Sequence, residues 1–309
     1  MQPNAKIYLA GHKGMVGSAI LRTLQQNGFT NTFCRTSTEL DLMIQADVKH
    51  FFLTEKPEYV FVAAAKAGGI IANDTYRAEF LYNNLIIAAN VIHAAYQSGV
   101  KKLLFLGSSC VYPKFSPQPI KEEYLLTGEL EPTNEAYAIA KIAGIKMCEA
   151  YKHQYGCDFI SVMPSNVFGP GDNYDLENSH VLPALIRKFH EAKMKNLHTV
   201  TLWGSGTPKR EFIYSEDLAD ACVTIMQQKS TFSRINIGVG EDISIYELAL
   251  LIKKVIGFEG EIVFDSTKPD GTPRKLLDIS RLESYGFKAK TTLEEGIKKT
   301  YQYYLSTLN

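Results

Sequence analysis

The sequence predicts an α/β fold: a Rossmann-type doubly wound parallel sheet with a smaller mixed α/β substrate-binding lobe. Three features predict it. Short apolar runs alternate with helical stretches from residue 6 to about residue 164, the pattern of βαβ units. A glycine-rich segment, Gly11-His12-Lys13-Gly14-Met15-Val16-Gly17, lies between the first run and the first helical stretch. Tyr137 and Lys141, four residues apart among helix formers, follow the fourth run.

Taken in order, Lys6-Ile7-Tyr8-Leu9-Ala10 reads as a short buried strand, and the helical pattern behind the glycine segment runs to Asn27-Gly28. In this first strand-to-helix turn Gly11 permits the tight turn, Gly14 a close approach to a pyrophosphate, and Gly17 close packing of helix on strand. The helix N-terminus adds free N–H groups and the positive dipole end. The spacing is GxxGxxG rather than GxGxxG, which points to the short-chain dehydrogenase branch of dinucleotide folds. Thr32-Phe33-Cys34 is a second strand. NAD sites usually carry an acid near its end for the ribose 2′-hydroxyl. Arg35-Thr36-Ser37-Thr38 stand there instead, and with Lys13 they suit a 2′-phosphate, favouring NADP.

A helix over 45–56 ends at Pro57, and Tyr59 to Ala63 form a third strand running into the small-residue loop 64–70, which would lie against a flat ring. A long helix is expected over 73–97, closed by Ser98-Gly99. Lys102 to Gly107 form the fourth strand, ending in Ser108-Ser109-Cys110-Val111-Tyr112-Pro113. The proline-rich stretch 114–133 reads as a surface loop. The helix bearing Tyr137 and Lys141 takes Asn134 as its N-cap and continues to about Gly156. Phe159 to Met163 form the fifth strand, leading into Pro164-Ser165-Asn166-Val167.

The pattern then changes, so residues 1–170 are expected to form one domain and 171–309 mainly the lobe. Segments near 212–240 are expected to re-enter the first domain. The lobe reads as a helix over 178–194, a strand at 200–203, the basic loop Gly204 to Arg210, a strand at 212–214 and a helix over 215–228. A strand at 235–237, a helix over 244–256, a strand at 261–264 and a final helix near 291–305 follow.

Composition narrows the function. Lys+Arg and Asp+Glu both number 33, so no global field favours nucleic acid or an acidic membrane. Five cysteines with no C-x-x-C argue against a disulfide framework or a zinc site, and no metal is expected. Neither a signal peptide nor a long apolar span is found, so the expected location is the cytoplasm. Ligands of an open parallel sheet bind beyond the carboxyl ends of its strands, which is where Ser108 and its neighbours fall. A phenol titrates near ~10, and a cation on the next helical turn favours the phenolate. Tyr137 beside Lys141 is thus suited to exchange a proton with a substrate oxygen.

Together the glycine segment, Ser108 and Tyr137-x-x-x-Lys141 resemble the extended short-chain dehydrogenase/reductase family. The segments Gly11 to Ile20, Leu106 to Pro113, Glu131 to Lys141, Asn178-Ser179-His180, Trp203 to Phe212 and Lys268 to Lys275 resemble its GDP-L-fucose synthase branch over essentially the whole chain. That branch epimerises C3 and C5 of GDP-4-keto-6-deoxy-D-mannose and reduces C4 with NADPH. The resemblance implies Ser108, Tyr137 and Lys141 as the reductive group, and Cys110 with His180 as the acid and base of epimerisation. Their ordinary values, ~8.5 and ~6.5, bring both within reach of neutral pH.

It also implies an NADP(H) site made by Gly11, His12, Lys13, Gly14, Met15, Val16, Gly17, Arg35, Ser37, Asp41, Leu42, Ala64, Leu106, Gly107, Ser108, Tyr137, Lys141, Pro164, Asn166, Val167 and His180. Lys188, Trp203, Arg210 and Asp270 would bind the GDP-sugar, and the protein would form a homodimer through 73–97 and 134–155. The branch often has arginine where this chain has Lys188, Lys13 and Ser37. The competing readings are a 4-reductase of a related GDP-4-keto-deoxy sugar and a non-catalytic NADP(H) sensor.

Overall fold

The computed structural model describes residues 1–65, 68–176, 178–267 and 270–308. Lys66 and Ala67 of the small-residue loop, and Lys268-Pro269 of the later motif, lie outside the described residues.

The main sheet is built from β1 (Ile7–Ala10), β2 (Thr32–Phe33), β3 (Tyr59–Val62), β4 (Lys102–Leu106), β5 (Asp158–Pro164) and the strand Arg234–Ile237. All pairings are parallel, in the order Arg234–Ile237, β5, β4, β3, β1, β2. The chain steps outward from β1 to β2, then returns past β1 to β3. The strand order therefore reverses between β1 and β3, and a ligand crevice opens at such a point.

Side-chain alternation places the helices on both faces. Tyr8 and Ala10 face one apolar layer with α2 (Gln45–Glu55), α3 (Arg77–Gln97) and α4 (Glu135–Tyr155). Ile7 and Leu9 face the other, formed with α1 (Met15–Gln26) and, from far along the chain, α6 (Ser215–Gln227). A third cluster joins α5 (Val181–Met194), α7 (Ile245–Ile256) and α8 (Leu293–Ser306) around the strand Thr199–Trp203. Each fully buried Leu, Ile or Phe in these layers is worth about 1.5–3 kcal/mol.

Two links position the site. The strand Phe212–Tyr214 pairs with Asn166–Phe168, just beyond β5. Lys209–Arg210 pairs with Arg274–Lys275, setting Lys275 opposite Arg210. Between them Glu211 is fully buried and accepts from the N–H groups of Val239 (2.6 Å), Gly240 (2.8 Å) and Leu277 (3.0 Å).

Three local expectations are corrected. The helix expected over 73–97 is two helices, Ile70–Thr75 and α3, broken at Tyr76 (φ −106, ψ 40). The Asn73 amide ties the first of these back onto the carbonyls of Gly68 and Gly69. The stretch 114–133 is not all surface: Ile120, Glu122 and Leu125 are buried, because Ile120 bonds Leu276 and Glu122 accepts from the buried Asn236 N–H. Asn134 holds the N-cap position of α4, but its side chain makes no capping bond. No described helix is long and apolar enough to cross a membrane.

Candidate active site

Beyond β4 the chain leaves Ser108 extended (φ −164, ψ 150), its Oγ accepting from the Cys110 N–H at 3.2 Å. The Ser108 hydroxyl also hydrogen-bonds the Tyr137 phenol, which α4 brings alongside. Lys141, 3% exposed, donates from Nζ to the Leu106 carbonyl at 2.7 Å. Its Nζ lies 4.9 Å from the centre of the Phe105 ring and 5.8 Å from that of Tyr137.

Burial pushes the phenol of Tyr137 well above its usual range; a charge on Cys110 adds to this and the Ser108 bond opposes it. Burial also pulls Lys141 down to about 7. The expected cation-favoured phenolate is therefore corrected. Nζ is drawn to the carbonyl at the end of β4, and desolvation of the phenol outweighs any help from the cation. A protonated phenol is the form a carbonyl reduction requires, since the new alcohol oxygen must receive a proton.

Cys110 sits in the turn Ser109–Val111, and its Sγ is 3.8 Å from Lys275 Nζ. His180 is the N-cap residue of α5 (φ −74, ψ 165), its side chain making no capping bond and lining the same cavity. Desolvation there lowers its pKa from the usual histidine value, and the Lys275 charge adds to the effect. The segment carrying His180 is seated by Gly69, whose N–H donates to Asn178 O at 2.8 Å. A Cβ on Gly69 would fall 2.5 Å from Ser179 O, so only glycine fits.

Ser108, Cys110, Tyr137 and His180 open into one cavity of about 340 Å³, which Lys188, Trp203, Arg210 and Asp270 also line. Arg210 Nη1 donates to Lys209 O at 2.8 Å, and the guanidinium lies in the fields of Cys110, Glu131 and Asp270. Lys188 Nζ sits 5.2 Å over the Trp203 ring and donates to Thr201 O at 3.2 Å. Asp270 accepts from Ser205 N–H (2.7 Å) and Ser205 Oγ (2.9 Å), so it first orders the glycine-rich loop. Among the lining residues that the sequence reading gave no site role are Glu131, paired with Lys114 at 2.9 Å, and Lys275, which stands 165 residues from Cys110.

On the other side of Tyr137 the strand ends form a cradle that fits a dinucleotide. Gly11 has φ +88, and a Cβ there would fall 2.6 Å from Ala64 N, so the ends of β1 and β3 nearly touch. A Cβ on Gly17 would fall 2.1 Å from Gly11 O. Gly14 has no backbone or side chain closer than 3.6 Å to a Cβ, and it opens α1 with no side-chain cap and no acid in the first turn. Those N–H groups suit an anion. Nearby, His12 Nδ1 is buried without a partner among the described residues.

At the β2 end Arg35 lies beside the paired Phe33 and Phe51 rings, 5.8 and 5.7 Å from their centres, and is ion-paired to Glu55 at 3.0 Å. Ser37 and Lys13 are exposed beside that loop. Asp41 accepts from the Met43 N–H at 2.9 Å, and Leu42 O accepts from Asn90 at 2.9 Å, so both shape the following turn. Gly107 N–H donates to Val162 O at 2.8 Å, and Asn166 Nδ2 donates to Glu211 O at 2.8 Å. Pro164 ends β5 and Val167 lines the cavity. Among the described residues, no group of three or more His, Cys, Asp or Glu could hold a metal ion.

The sequence profile of the NAD dependent epimerase/dehydratase family matches residues 7–238. GDP-L-fucose synthase 1 of Arabidopsis thaliana is 59% identical over 305 residues, covering 99% of this chain and 94% of the relative. Among solved structures, a GDP-mannoheptose C4 reductase from Campylobacter jejuni with NADP bound superposes with TM-score 0.91 at 44% identity, over 99% of both chains. A GDP-L-fucose synthetase from Naegleria fowleri bound to NADP gives TM-score 0.88 at 30% identity, over 100% of this chain and 96% of that one.

Proposed function

The chain belongs to the NAD dependent epimerase/dehydratase family, and we propose that it converts GDP-4-keto-6-deoxy-D-mannose to GDP-L-fucose by C3 and C5 epimerisation and NADPH-dependent C4 reduction. One observation carries this reading. Cys110 and His180, suited to proton exchange at carbon, open into the same cavity as Ser108 and Tyr137, suited to a carbonyl oxygen.

Carbon beside a ketone becomes acidic because the resulting charge moves onto the carbonyl oxygen. Ser108 and Tyr137 donate to that oxygen, and losing one such donor typically costs about 10²–10³ in rate. Cys110 and His180 serve opposite faces of the reacting carbon, one removing a proton and the other returning one. After both inversions the ketone is reduced. Bound NADPH supplies the hydride for that step. Tyr137 gives its proton to the oxygen, Ser108 holds the oxygen in place, and Lys141 supplies positive charge beneath the phenol. Arg210 and Lys188 bind the diphosphate, Trp203 and the apolar wall the nucleotide, and Arg35 the 2′-phosphate of the cofactor. The cofactor half comprises 1–170 with 212–240, and the substrate half the rest of 171–309.

A 4-reductase acting on a related GDP-4-keto sugar is the second reading, favoured by the C4 reductase likeness. A sensor without turnover is disfavoured by the intact Ser108, Tyr137 and Lys141. We place the enzyme in the cytoplasm, consistent with its free cysteines, and as a homodimer; sedimentation showing only monomer at micromolar protein would refute the dimer. GDP-4-keto-6-deoxy-D-mannose should drive NADPH oxidation at one equivalent per substrate, and Tyr137→Phe should remove it while leaving NADPH binding intact. Binding without oxidation by the parent enzyme would refute the proposed activity.

A further inference from the structure

Like Lys188, which is taken up by the Trp203 ring and Thr201 O, Lys275 is a cation of the cavity with no carboxylate ion pair among the described residues. Arg274 beside it pairs with Asp242 at 2.5 Å, and Arg210 opposite it shares the fields of Glu131 and Asp270. Lys275 instead reaches the two groups suited to proton exchange at carbon. Its Nζ is 3.8 Å from Cys110 Sγ, and it lines the same cavity as His180, whose lowered pKa, set first by burial, its charge lowers further. The placement is built in: Lys275 pairs in register with Arg210, and the next strand residues are tied to buried Glu211 through the Leu277 N–H at 3.0 Å.

We propose that Lys275 couples the two proton transfers of epimerisation, stabilising the Cys110 thiolate and then displacing the proton from His180 once that sulfur has taken up the substrate proton. This rests on the assignment of Cys110 and His180 as the base and acid. The charges account for the sequence of events. With sulfur anionic, it offsets the ammonium, and an imidazolium on His180 is tolerated. When the thiolate takes the carbon-bound proton, the C–H electron pair moves onto the carbonyl oxygen and the sulfur becomes neutral. The ammonium is then uncompensated, the imidazolium is disfavoured, and its proton passes to the opposite face of the same carbon. Lys275 exchanges no proton with the substrate and is a positioning residue.

The other groups facing this pair are Tyr137 from α4 and Arg210 from its strand, which interact electrostatically with Cys110.

The test uses the NADP⁺-bound enzyme with Lys275→Met and Lys275→Arg. The first readout is iodoacetamide labelling of Cys110 against pH, located by peptide mass so that the other four cysteines do not interfere. The Met variant should label at pH 7 about tenfold more slowly than the parent; the Arg variant should keep the parent profile. The second readout is deuterium entry from D₂O at C3 and C5 of GDP-4-keto-6-deoxy-D-mannose, which needs no hydride. It should fall at least tenfold in the Met variant and be largely retained in the Arg variant, with NADP⁺ binding unchanged in both. A Met variant with the parent labelling profile, or equal losses in Met and Arg variants, overturns the proposal. Parent-level deuterium entry in Cys110→Ser would instead overturn the base assignment beneath it.

Discussion

Burial governs the proton on both members of the Tyr137–Lys141 pair. It raises the phenol and lowers the ammonium to about 7, so near neutral pH the tyrosine is protonated and the lysine is partly charged. The sign of the stability effect follows. An unfolded lysine titrates near 10.5, so between about pH 7 and 10.5 the unfolded chain binds more protons and stability rises with pH. Below pH 7 the full cost of burying the charge is present, on the order of a few kcal/mol. Lys141→Met should therefore raise the melting temperature relative to the parent most at pH 6, and that gain should shrink towards pH 10. A gain that does not change with pH would contradict this assignment. At this scale the spacing of Tyr137 and Lys141 was legible, because helix geometry fixes neighbours four residues apart. Lys275, Glu211 and Glu55 were not, because their partners are remote in sequence and meet only after folding.

The glycine segment and the seat of α4 decide what the elements deliver to the site. Gly11 and Gly17 were legible because a fingerprint turn must have them. Gly144 carried no such signal, yet a Cβ there would fall 2.4 Å from the Phe105 ring, the same ring that lies under Lys141. The absent side chain lets α4 settle against β4, and Lys141 then reaches Leu106 O. Gly144→Ala should cost about 1–3 kcal/mol by overpacking. At roughly 2–4 °C per kcal/mol its melting point should fall by about 2–12 °C, with reductase activity falling more than NADPH binding. An unchanged melting point and rate would show that α4 has slack there. Most helices and strands followed from apolar periodicity. The break at Tyr76 did not, because it comes from Asn73 folding back on Gly68 and Gly69 rather than from a local breaker.

At the scale of the whole molecule, Cys110 and His180 share one cavity with Ser108 and Tyr137. The Rossmann half was readable from its alternating pattern. The lobe was readable as elements but not as an arrangement, since the pairing of Lys209–Arg210 with both Ile243–Ser244 and Arg274–Lys275 joins three distant segments of only two residues each. Runs that short carry no periodicity. Buried Glu211 holds them together and links the Arg210 strand to Leu277 and to Asn166 at the cofactor side. This arrangement puts Cys110, Lys275 and His180 on the same cavity as Ser108 and Tyr137, and the central claim is that both reactions occur there. The most direct measurement is NMR of the sugar nucleotide after turnover of GDP-4-keto-6-deoxy-D-mannose with NADPH in D₂O. GDP-L-fucose carrying deuterium at C3 and C5, with protium from NADPH at C4, is the predicted product. A C4-reduced sugar retaining the parent configuration and protium at C3 and C5 would contradict it.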